Sequence, residues 1–109
     1  MELTELVYQL VNEFPKEEIY ALTNQIKRAS VSIPSNIAEG YGRNTSKSYS
    51  QFIKISRGSL YELETQLILA ENLGFIRNKE LLYKITELIQ EEGKMINSFI
   101  KKIEISNLN

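Results

Sequence analysis

The sequence predicts an all-α protein, folded as a single up-down-up-down antiparallel four-helix bundle. Apolar residues recur at helical spacing along most of the chain, and no stretch alternates apolar and polar residues as a strand would. Glycine, proline and asparagine interrupt this spacing at three places, which leaves four segments joined by short connections. Short connections favour antiparallel neighbours. We predict one domain, 1–109, with helices at about 2–13, 16–41, 47–73 and 79–104.

The first helix is predicted from apolar residues three and four apart, and a proline ends it. Phe14 precedes Pro15, and a residue before proline is driven out of the helical conformation. Pro15 suits the first position of the next helix, where Glu17 and Glu18 would complement the helix dipole. The stripe of the first helix consists of Leu3, Leu6, Val7, Leu10, Val11 and Phe14.

The second helix has a proline in its interior, yet its apolar stripe keeps the same phase on both sides. We therefore predict one long helix that is kinked near Pro34. Pro34 cannot donate to the carbonyl of Ser30, and we expect neighbouring serine hydroxyls to satisfy the backbone groups released there. Gly40 and Gly42 are expected to end the helix, with Gly42 in the left-handed conformation. The stripe consists of Ile19, Leu22, Ile26, Ala29, Ile33, Ile37 and Tyr41.

The third and fourth helices are delimited by capping signals. Ser46 is the predicted N-cap of the third helix, and Gly74 closes it, with Phe75 and Ile76 packing back over the end. Asn78 is predicted to cap the fourth helix. The stripe of the third helix consists of Tyr49, Phe52, Ile53, Ser56, Leu60, Leu63, Leu67 and Ala70. That of the fourth consists of Leu81, Leu82, Ile85, Leu88, Ile89, Glu92, Met95, Ile96, Phe99 and Ile103.

Both of these helices carry more apolar surface than one stripe needs. In the fourth helix, Leu82 and Ile100 broaden the stripe. Either the core face is wide or the additional side chains form a subunit interface, and we favour the interface. The residues outside the main stripe of the third helix are Ile55, Tyr61, Ile68 and Leu69.

The inventory of side chains argues against an enzyme. The 109 residues include no cysteine, no histidine and no aspartate, which excludes thiolate nucleophiles, cysteine-bound zinc and the commonest general base. The di-iron site of helical bundles uses Glu-x-x-His motifs, so its usual form cannot be built without histidine. We expect no catalysis, no cofactor, no metal and no small-molecule substrate.

The chain is predicted to be cytoplasmic, with no membrane partner. Its longest uninterrupted apolar run, 67–70, has four residues, whereas crossing a bilayer takes about 20. The N-terminal segment carries Glu2 and Glu5 and no basic residue before Lys16. A secretory signal has the opposite arrangement of charge.

Positive charge is concentrated in the middle of a chain whose net charge is −1. Residues 27–57 sum to +5, against −4 for 1–26 and −2 for 58–109. This window is either a solvated helix surface or a basic face that contacts phosphates. Tyr41 and Tyr49 flank the loop after the second helix, where they could stack on bases. The candidate nucleic-acid-binding residues are Lys27, Tyr41, Arg43, Lys47, Tyr49, Lys54 and Arg57.

A second, polar stripe follows the second helix and has polar counterparts on the third. One interpretation is a solvent-exposed face. Another is a partly buried network in which Arg28 or Arg57 pairs with a glutamate of either helix and sets helix register or subunit contacts. A catalytic pair of glutamates is the third, and the side-chain inventory argues against it. The candidate network residues are Arg28, Asn36, Glu39, Ser59 and Glu62.

Several spaced motifs, in one order, carry a resemblance to a known family. They are Gln25, Arg28-Ala29, Ser32-Ile33-Pro34, Asn36-Ile37-Ala38-Glu39-Gly40 and Gly58-Ser59-Leu60 with Glu62. With them, the chain resembles the bacterial four-helix-bundle family of ribosomal RNA intervening-sequence proteins. That family is related to the accessory variability protein of diversity-generating retroelements. The resemblance is strongest over residues 14–76.

The resemblance implies an up-down bundle that assembles as a ring-like homopentamer. It also implies a nucleic-acid or reverse-transcriptase partner in the retroelement branch, and no catalysis. Taken with the charge pattern, it leads us to expect a non-enzymatic homo-oligomer that binds structured RNA, or an RNA-bound partner, through its basic segment. The alternative is a protein-interaction or scaffolding module that binds no nucleic acid and works through its excess apolar surface.

Overall fold

A computed structural model describes residues 2–107 as helices and short connections. The four main helices are α1 (Glu2–Val11), α2 (Asn24–Tyr41), α3 (Ser46–Asn72) and α4 (Lys79–Asn107). A 3₁₀ turn, Lys16–Glu18, and a π-helical turn, Ile19–Thr23, precede α2. Because no strand occurs within the described range, the predicted all-α class with four helices is confirmed. None of the described helices is long and apolar enough to cross a membrane.

The second helix begins later than predicted. Residues 16–23 wind as 3₁₀ and π turns, and Ala21, with φ −119° and ψ −108°, leaves the helical conformation. From Asn24 the chain is α-helical and stays so past Pro34. The sequence did not indicate this later start because Leu22 and Ile26, which lie on either side of the start of α2 at Asn24, are both buried in the core. Their spacing therefore matched an uninterrupted helix.

Pro34 leaves the carbonyl of Ser30 without its helical donor, and another helix supplies the hydrogen bond. The hydroxyl of Thr4, in α1, donates to the Ser30 carbonyl at 3.0 Å. One residue before the proline, the carbonyl of Ile33 accepts from the hydroxyl of Ser56, in α3, at 2.9 Å. The expectation that α2 serines would fill this role was wrong for Ser30, whose hydroxyl donates one turn earlier in the helix. Hydrogen bonds beside the proline thus link α2 to α1 and to α3.

Two predicted helix ends are confirmed and two were wrong. Gly74 adopts a φ of +79° after α3, and the Asn78 side chain accepts from the first turn of α4 at 3.0 Å. The N-cap of α3 is Thr45 rather than Ser46, because Thr45 is extended and its hydroxyl accepts a backbone N–H at 3.1 Å. Gly42 has a φ of −81°, so the chain leaves α2 without a left-handed residue.

Gly40 lies inside α2 rather than at its end, and it allows close packing against α3. A Cβ at this position would stand 3.3 Å from the Cβ of Phe52 and 3.4 Å from the carbonyl oxygen of Tyr49. Such a contact is tighter than side chains normally make, so a larger residue would push α2 and α3 apart. The glycine that we expected to stop the helix therefore serves helix packing.

The core extends along the whole bundle, but α1 covers only part of it. α1 has 10 residues, compared with 27 in α3 and 29 in α4. Its buried residues Leu3, Val7 and Leu10 pack beside α2 and α4. Beyond Leu3 an open groove of about 110 Å³ continues between α2 and α4, which we call the apolar groove. It is lined by Ile37, Tyr41, Tyr49, Ile53, Glu92, Met95, Ile96 and Phe99.

The additional apolar residues of α3 and α4 differ in how far they are buried. In α4, Ile100 is buried and Leu82 packs against the core, so these two widen the core face. In α3 the additional residues stay at the surface of the chain, which leaves the subunit-interface interpretation open for them. The exposed residues are Ile55, Tyr61, Ile68 and Leu69.

Replacing Thr4 by valine removes the hydroxyl and preserves the shape of the side chain. We expect Thr4→Val to lower the free energy of unfolding by about 1–2 kcal/mol, because the Ser30 carbonyl loses its donor. In a Pro34→Ala background, a backbone N–H at position 34 can donate to that carbonyl, and the same change should cost less than about 0.5 kcal/mol. Urea denaturation of the four proteins measures the coupling. An equal loss of unfolding free energy in both backgrounds would show that the Thr4 hydroxyl and Pro34 are not energetically coupled.

Glu92 lies half-buried at the end of the apolar groove next to α1, and burial raises the pKa of its carboxyl. Folding therefore favours the protonated form, and the free energy of unfolding should fall as pH rises from the unfolded pKa through the raised folded pKa. Glu92→Gln should raise the melting temperature at pH 8 and leave it nearly unchanged at pH 4. An exposed glutamate offers a matched control, Glu13→Gln, which removes the same carboxyl outside the groove and should shift the melting temperature little at either pH. Thermal melts at both pH values test the difference.

Candidate nucleic-acid interface

Positive charge gathers at the end of the bundle where α2 connects to α3. The ammonium of Lys54, in α3, lies 2.7 Å from a carboxylate oxygen of Glu104, which places the last turns of α4 beside the start of α3. Across residues 41–54 and 98–107, the chain carries five cations and this one glutamate. We call this region the basic end, and its cations are Arg43, Lys47, Lys54, Lys101 and Lys102.

Two tyrosines border the connection at the basic end. The rings of Tyr41 and Tyr49 meet edge to face, with centroids 5.4 Å apart. Burial, followed by a hydrogen bond with Tyr41, raises the pKa of the Tyr49 hydroxyl, which therefore stays protonated at neutral pH. Tyr41 is 66% exposed and presents its ring to solvent. The basic end therefore has one accessible aromatic ring, that of Tyr41, which packs against Tyr49.

Arg43 and Lys47 lie on either side of the N-cap of α3. The Arg43 guanidinium is 4.6 Å from the centroid of the Phe52 ring and 3.2 Å from Glu39 Oε2. Lys47 is exposed and has no ion pair within residues 2–107. The N-terminus of a long helix such as α3 carries partial positive charge. The helix dipole and these two side chains therefore add to the same positive potential.

Lys54 and Arg57 are directed toward α4. The hydrogen bond from Lys54, together with its charge, lowers the pKa of the Glu104 carboxyl. Arg57 Nη1 donates to Asn97 Oδ1 at 2.9 Å, about one turn farther from the basic end. Lys54 is thus at the edge of the basic end, whereas Arg57 mainly joins α3 to α4.

Lys27 lies apart from the other candidate residues. Its ammonium stands 5.1 Å from the centroid of the Tyr8 ring, against α1. Along a straight helix, sixteen residues separate Lys27 from Arg43 by about 24 Å. The positively charged segment 27–57 therefore includes residues that lie in different parts of the folded bundle.

The sequence analysis missed two lysines of the basic end. Lys101 and Lys102 are exposed in the last turns of α4, next to Glu104. Their window, 58–109, has a net charge of −2, because its glutamates outnumber its basic residues and lie mostly earlier in the chain. Helix order was the available signal, since a fourth helix that runs antiparallel to the third returns to the start of the third.

Part of the predicted polar network is present, as a link between α2 and α3. The hydroxyls of Ser32 and Ser59 share a hydrogen bond of 2.8 Å. Asn36 Nδ2 donates to the Ser32 hydroxyl at 2.9 Å and to the Ser32 carbonyl at 2.8 Å. Three small polar side chains therefore fill the space where the two helices lie close together.

The three charged members of the predicted network do not join this link. Glu39 pairs with Arg43 on its own helix, and Glu62 accepts a hydrogen bond from Gln66 at 3.1 Å. Arg28 is exposed beside Glu62 in a shallow polar groove of about 500 Å³ between α2 and α3. The expected arginine–glutamate pair between helices is not found within the described range. Arg28 and Glu62 line this groove together with Ser32 and Ser59.

The carboxylates of the described chain are dispersed. No three of them gather as a metal-binding group within residues 2–107. Glu39 and Glu62, which we considered as a catalytic pair, contact different partners on different helices. No arrangement typical of general acid–base chemistry is formed by these two residues.

Comparison with known protein families matches residues 1–98 to the family described as 23S rRNA-intervening sequence protein. The matched part includes α1, α2, α3 and most of α4. It ends just before Lys101 and Lys102, so the basic end lies partly beyond it. A search of curated proteins finds no match. The family match confirms the resemblance that the spaced motifs indicated.

The serine contact can be tested by removing each hydroxyl. Ser32→Ala should destabilise the fold more than Ser59→Ala, because Ser32 also accepts from Asn36. We expect about 1 kcal/mol for Ser59→Ala, and a double variant that costs less than the sum of the two single changes. Chemical denaturation measures all three. Strictly additive costs would mean that the two hydroxyls do not interact.

Proposed function

The chain belongs to the 23S rRNA-intervening sequence protein family, and from this premise we propose that it is a non-enzymatic, cytoplasmic bundle that binds structured RNA through its basic end. The observation that carries the proposal is the gathering of five cations, from two separate stretches of chain, around the connection between α2 and α3. The net charge of −1 gives no such indication. Local positive potential, rather than total charge, steers a protein toward phosphates.

We assign the phosphate contacts mainly to Arg43, Lys47 and Lys101. Lys47 and Lys101 are exposed and have no ion pair within the described part of the chain. Arg43 can exchange its surface contact with Glu39 for a phosphate, because an exposed pair of this kind contributes little free energy. Backbone N–H groups at the start of α3 support anion binding at the same place.

Tyr41 would give the basic end a preference for RNA with unpaired bases. Its ring is accessible and is held by Tyr49 rather than by flexible contacts. Proteins commonly read unpaired bases by stacking them on aromatic side chains, whereas paired bases in an RNA duplex are not available for this contact. A stem with an exposed loop is therefore the substrate class that this end fits best.

We also propose that the protein assembles as a homo-oligomer, a ring-like pentamer in the arrangement implied by the resemblance. The exposed apolar residues Ile55, Ile68 and Leu69 of α3 support a subunit contact. Cyclic symmetry would repeat the basic end around the ring, so several weak contacts could act on one RNA. In this way a chain with few cations could reach useful affinity.

We further propose the up-down-up-down order of the four helices and a bend of α2 at Pro34. Support for the order of α3 and α4 comes from two ion pairs, because Lys54, early in α3, meets Glu104, late in α4, and Glu71, late in α3, meets Lys79 at the start of α4. In α2 and α3, Ser32 meets Ser59, and the later Gly40 meets the earlier Phe52. Support for the bend comes from the Ser30 carbonyl, which accepts from Thr4 outside its own helix.

A second candidate function is a protein-interaction module without nucleic-acid binding. It is favoured by the exposed apolar residues of α3, which are more numerous than a solvated helix needs. The partner could then be a reverse-transcriptase-like protein, as the retroelement branch of the resemblance implies. In this case the basic end would be a solvated surface with little effect on binding.

The RNA proposal predicts a loss of affinity when the basic end is reversed in charge. We expect Arg43→Glu, Lys47→Glu and Lys101→Glu together to weaken binding to a fluorescein-labelled RNA stem-loop at least tenfold. The slope of log K against log salt should also become shallower by about 2 to 3, because about one slope unit is lost per phosphate contact. Fluorescence anisotropy across a salt series measures both quantities.

A matched control applies the same change of charge at the opposite end of the bundle. Arg77→Glu, Lys79→Glu and Lys84→Glu alter net charge by the same amount, and we expect them to lower affinity only weakly. Equal losses in the two triple variants would mean that total charge, rather than the basic end, attracts RNA. Wild-type protein that fails to bind even at low salt would favour the protein-interaction module.

A further inference from the structure

One face of α4 has an exposed apolar centre between two charges of opposite sign. Met95 is 60% exposed and Phe99 is 43% exposed, next to each other on the helix surface. Glu91 precedes Met95 by four residues, and Lys102 follows Phe99 by three, so all four lie on one side of the helix. Neither charged residue has an ion pair within residues 2–107. We call these four residues the α4 face.

We propose that the α4 face binds the α4 face of a second copy of this chain, with the two helices antiparallel about a twofold axis near Asn97. Glu91 lies six residues before Asn97 and Lys102 five residues after it, which is about 9 Å and 7.5 Å along the helix. The twofold rotation therefore brings Glu91 of each copy level with Lys102 of the other. Two ion pairs of the same kind then flank the contact.

The apolar centre of the α4 face is self-complementary under the same rotation. Met95 and Phe99 lie two residues on either side of Asn97, so each packs against the other type of residue in the second copy. The apolar groove opens directly beside them, with Ile37 and Tyr41 on its opposite wall. A cavity of about 150 Å³ accommodates benzene. The 110 Å³ of the groove thus suits much of one phenylalanine ring from the second copy.

The order of charges indicates a second copy rather than a different protein. The face runs acidic, apolar, apolar, basic along the chain, and an antiparallel copy presents the same order in reverse. An isologous contact requires this self-complementarity, because each residue of one subunit meets its counterpart across the axis. A different partner would place no such requirement on the sequence of α4. The contact is separate from the ring proposed above and would pair two chains or two rings. It involves Lys102 of the basic end and the groove beside Tyr41, but none of Arg43, Lys47 and Lys101.

Charge reversal tests the arrangement, with the protein itself as the probe. In sedimentation velocity over a concentration series at low salt, we expect wild-type protein to double its mass reversibly. Glu91→Lys and Lys102→Glu should each weaken the doubling at least tenfold, because both contacts then join like charges. An equimolar mixture of the two variants should restore it, since each contact again joins a lysine and a glutamate. A mixture that behaves like the separate variants would overturn the proposal.

The apolar centre has its own variant and control. Phe99→Ser should abolish the doubling, whereas Tyr83→Ser should leave it unchanged, because Tyr83, which is 66% exposed, lies 12 residues before Met95 and outside the α4 face. Circular dichroism verifies that both variants remain helical. Wild-type protein whose mass does not double at any concentration, or equal effects of both serine substitutions, would also overturn the proposal.

Discussion

The Ser30 carbonyl, which Pro34 leaves without a helical donor, is the constraint on which the rest of the structure depends. A buried carbonyl must find a hydrogen bond, and here the donor comes from Thr4 of α1. This bond fixes the height at which α1 packs against α2. The apolar groove continues between α2 and α4 from the end of α1 that carries Leu3 and Thr4. The same hydrogen bond thus anchors α1 to α2 next to the apolar groove.

Close packing of α2 on α3 determines what the other polar residues do. Ser32 and Ser59 meet at 2.8 Å, and Gly40 removes a side chain that would separate the helices farther along. Arg28 and Glu62 line the shallow groove beside the serine contact. The residues that carry the family resemblance therefore mostly serve the packing of these two helices, and the surfaces that we assign to binding lie outside their contact.

The packed helices present two exposed surfaces that differ in charge and polarity. The basic end collects cations from the α2–α3 connection and from the end of α4, with Tyr41 exposed among them. The α4 face places apolar residues between a glutamate and a lysine, beside the apolar groove. Lys101 and Lys102 are adjacent in sequence but differ by 100° around the helix, so the first remains available to RNA when the second meets another copy.

The sequence by itself determined the helical class, the approximate helices and the closures at Gly74 and Asn78, because these depend on spacing and on hydrogen bonds between near neighbours. The spaced motifs along one stretch of the chain also indicated the protein family. Only the tertiary structure decided that Thr4 meets the Ser30 carbonyl, that Lys101 joins the basic end and that Lys27 does not. These outcomes depend on which helices are neighbours and on how far each is shifted along its own axis relative to the next. Helix packing brings together residues that are distant in the chain, and a local sequence pattern does not indicate such contacts.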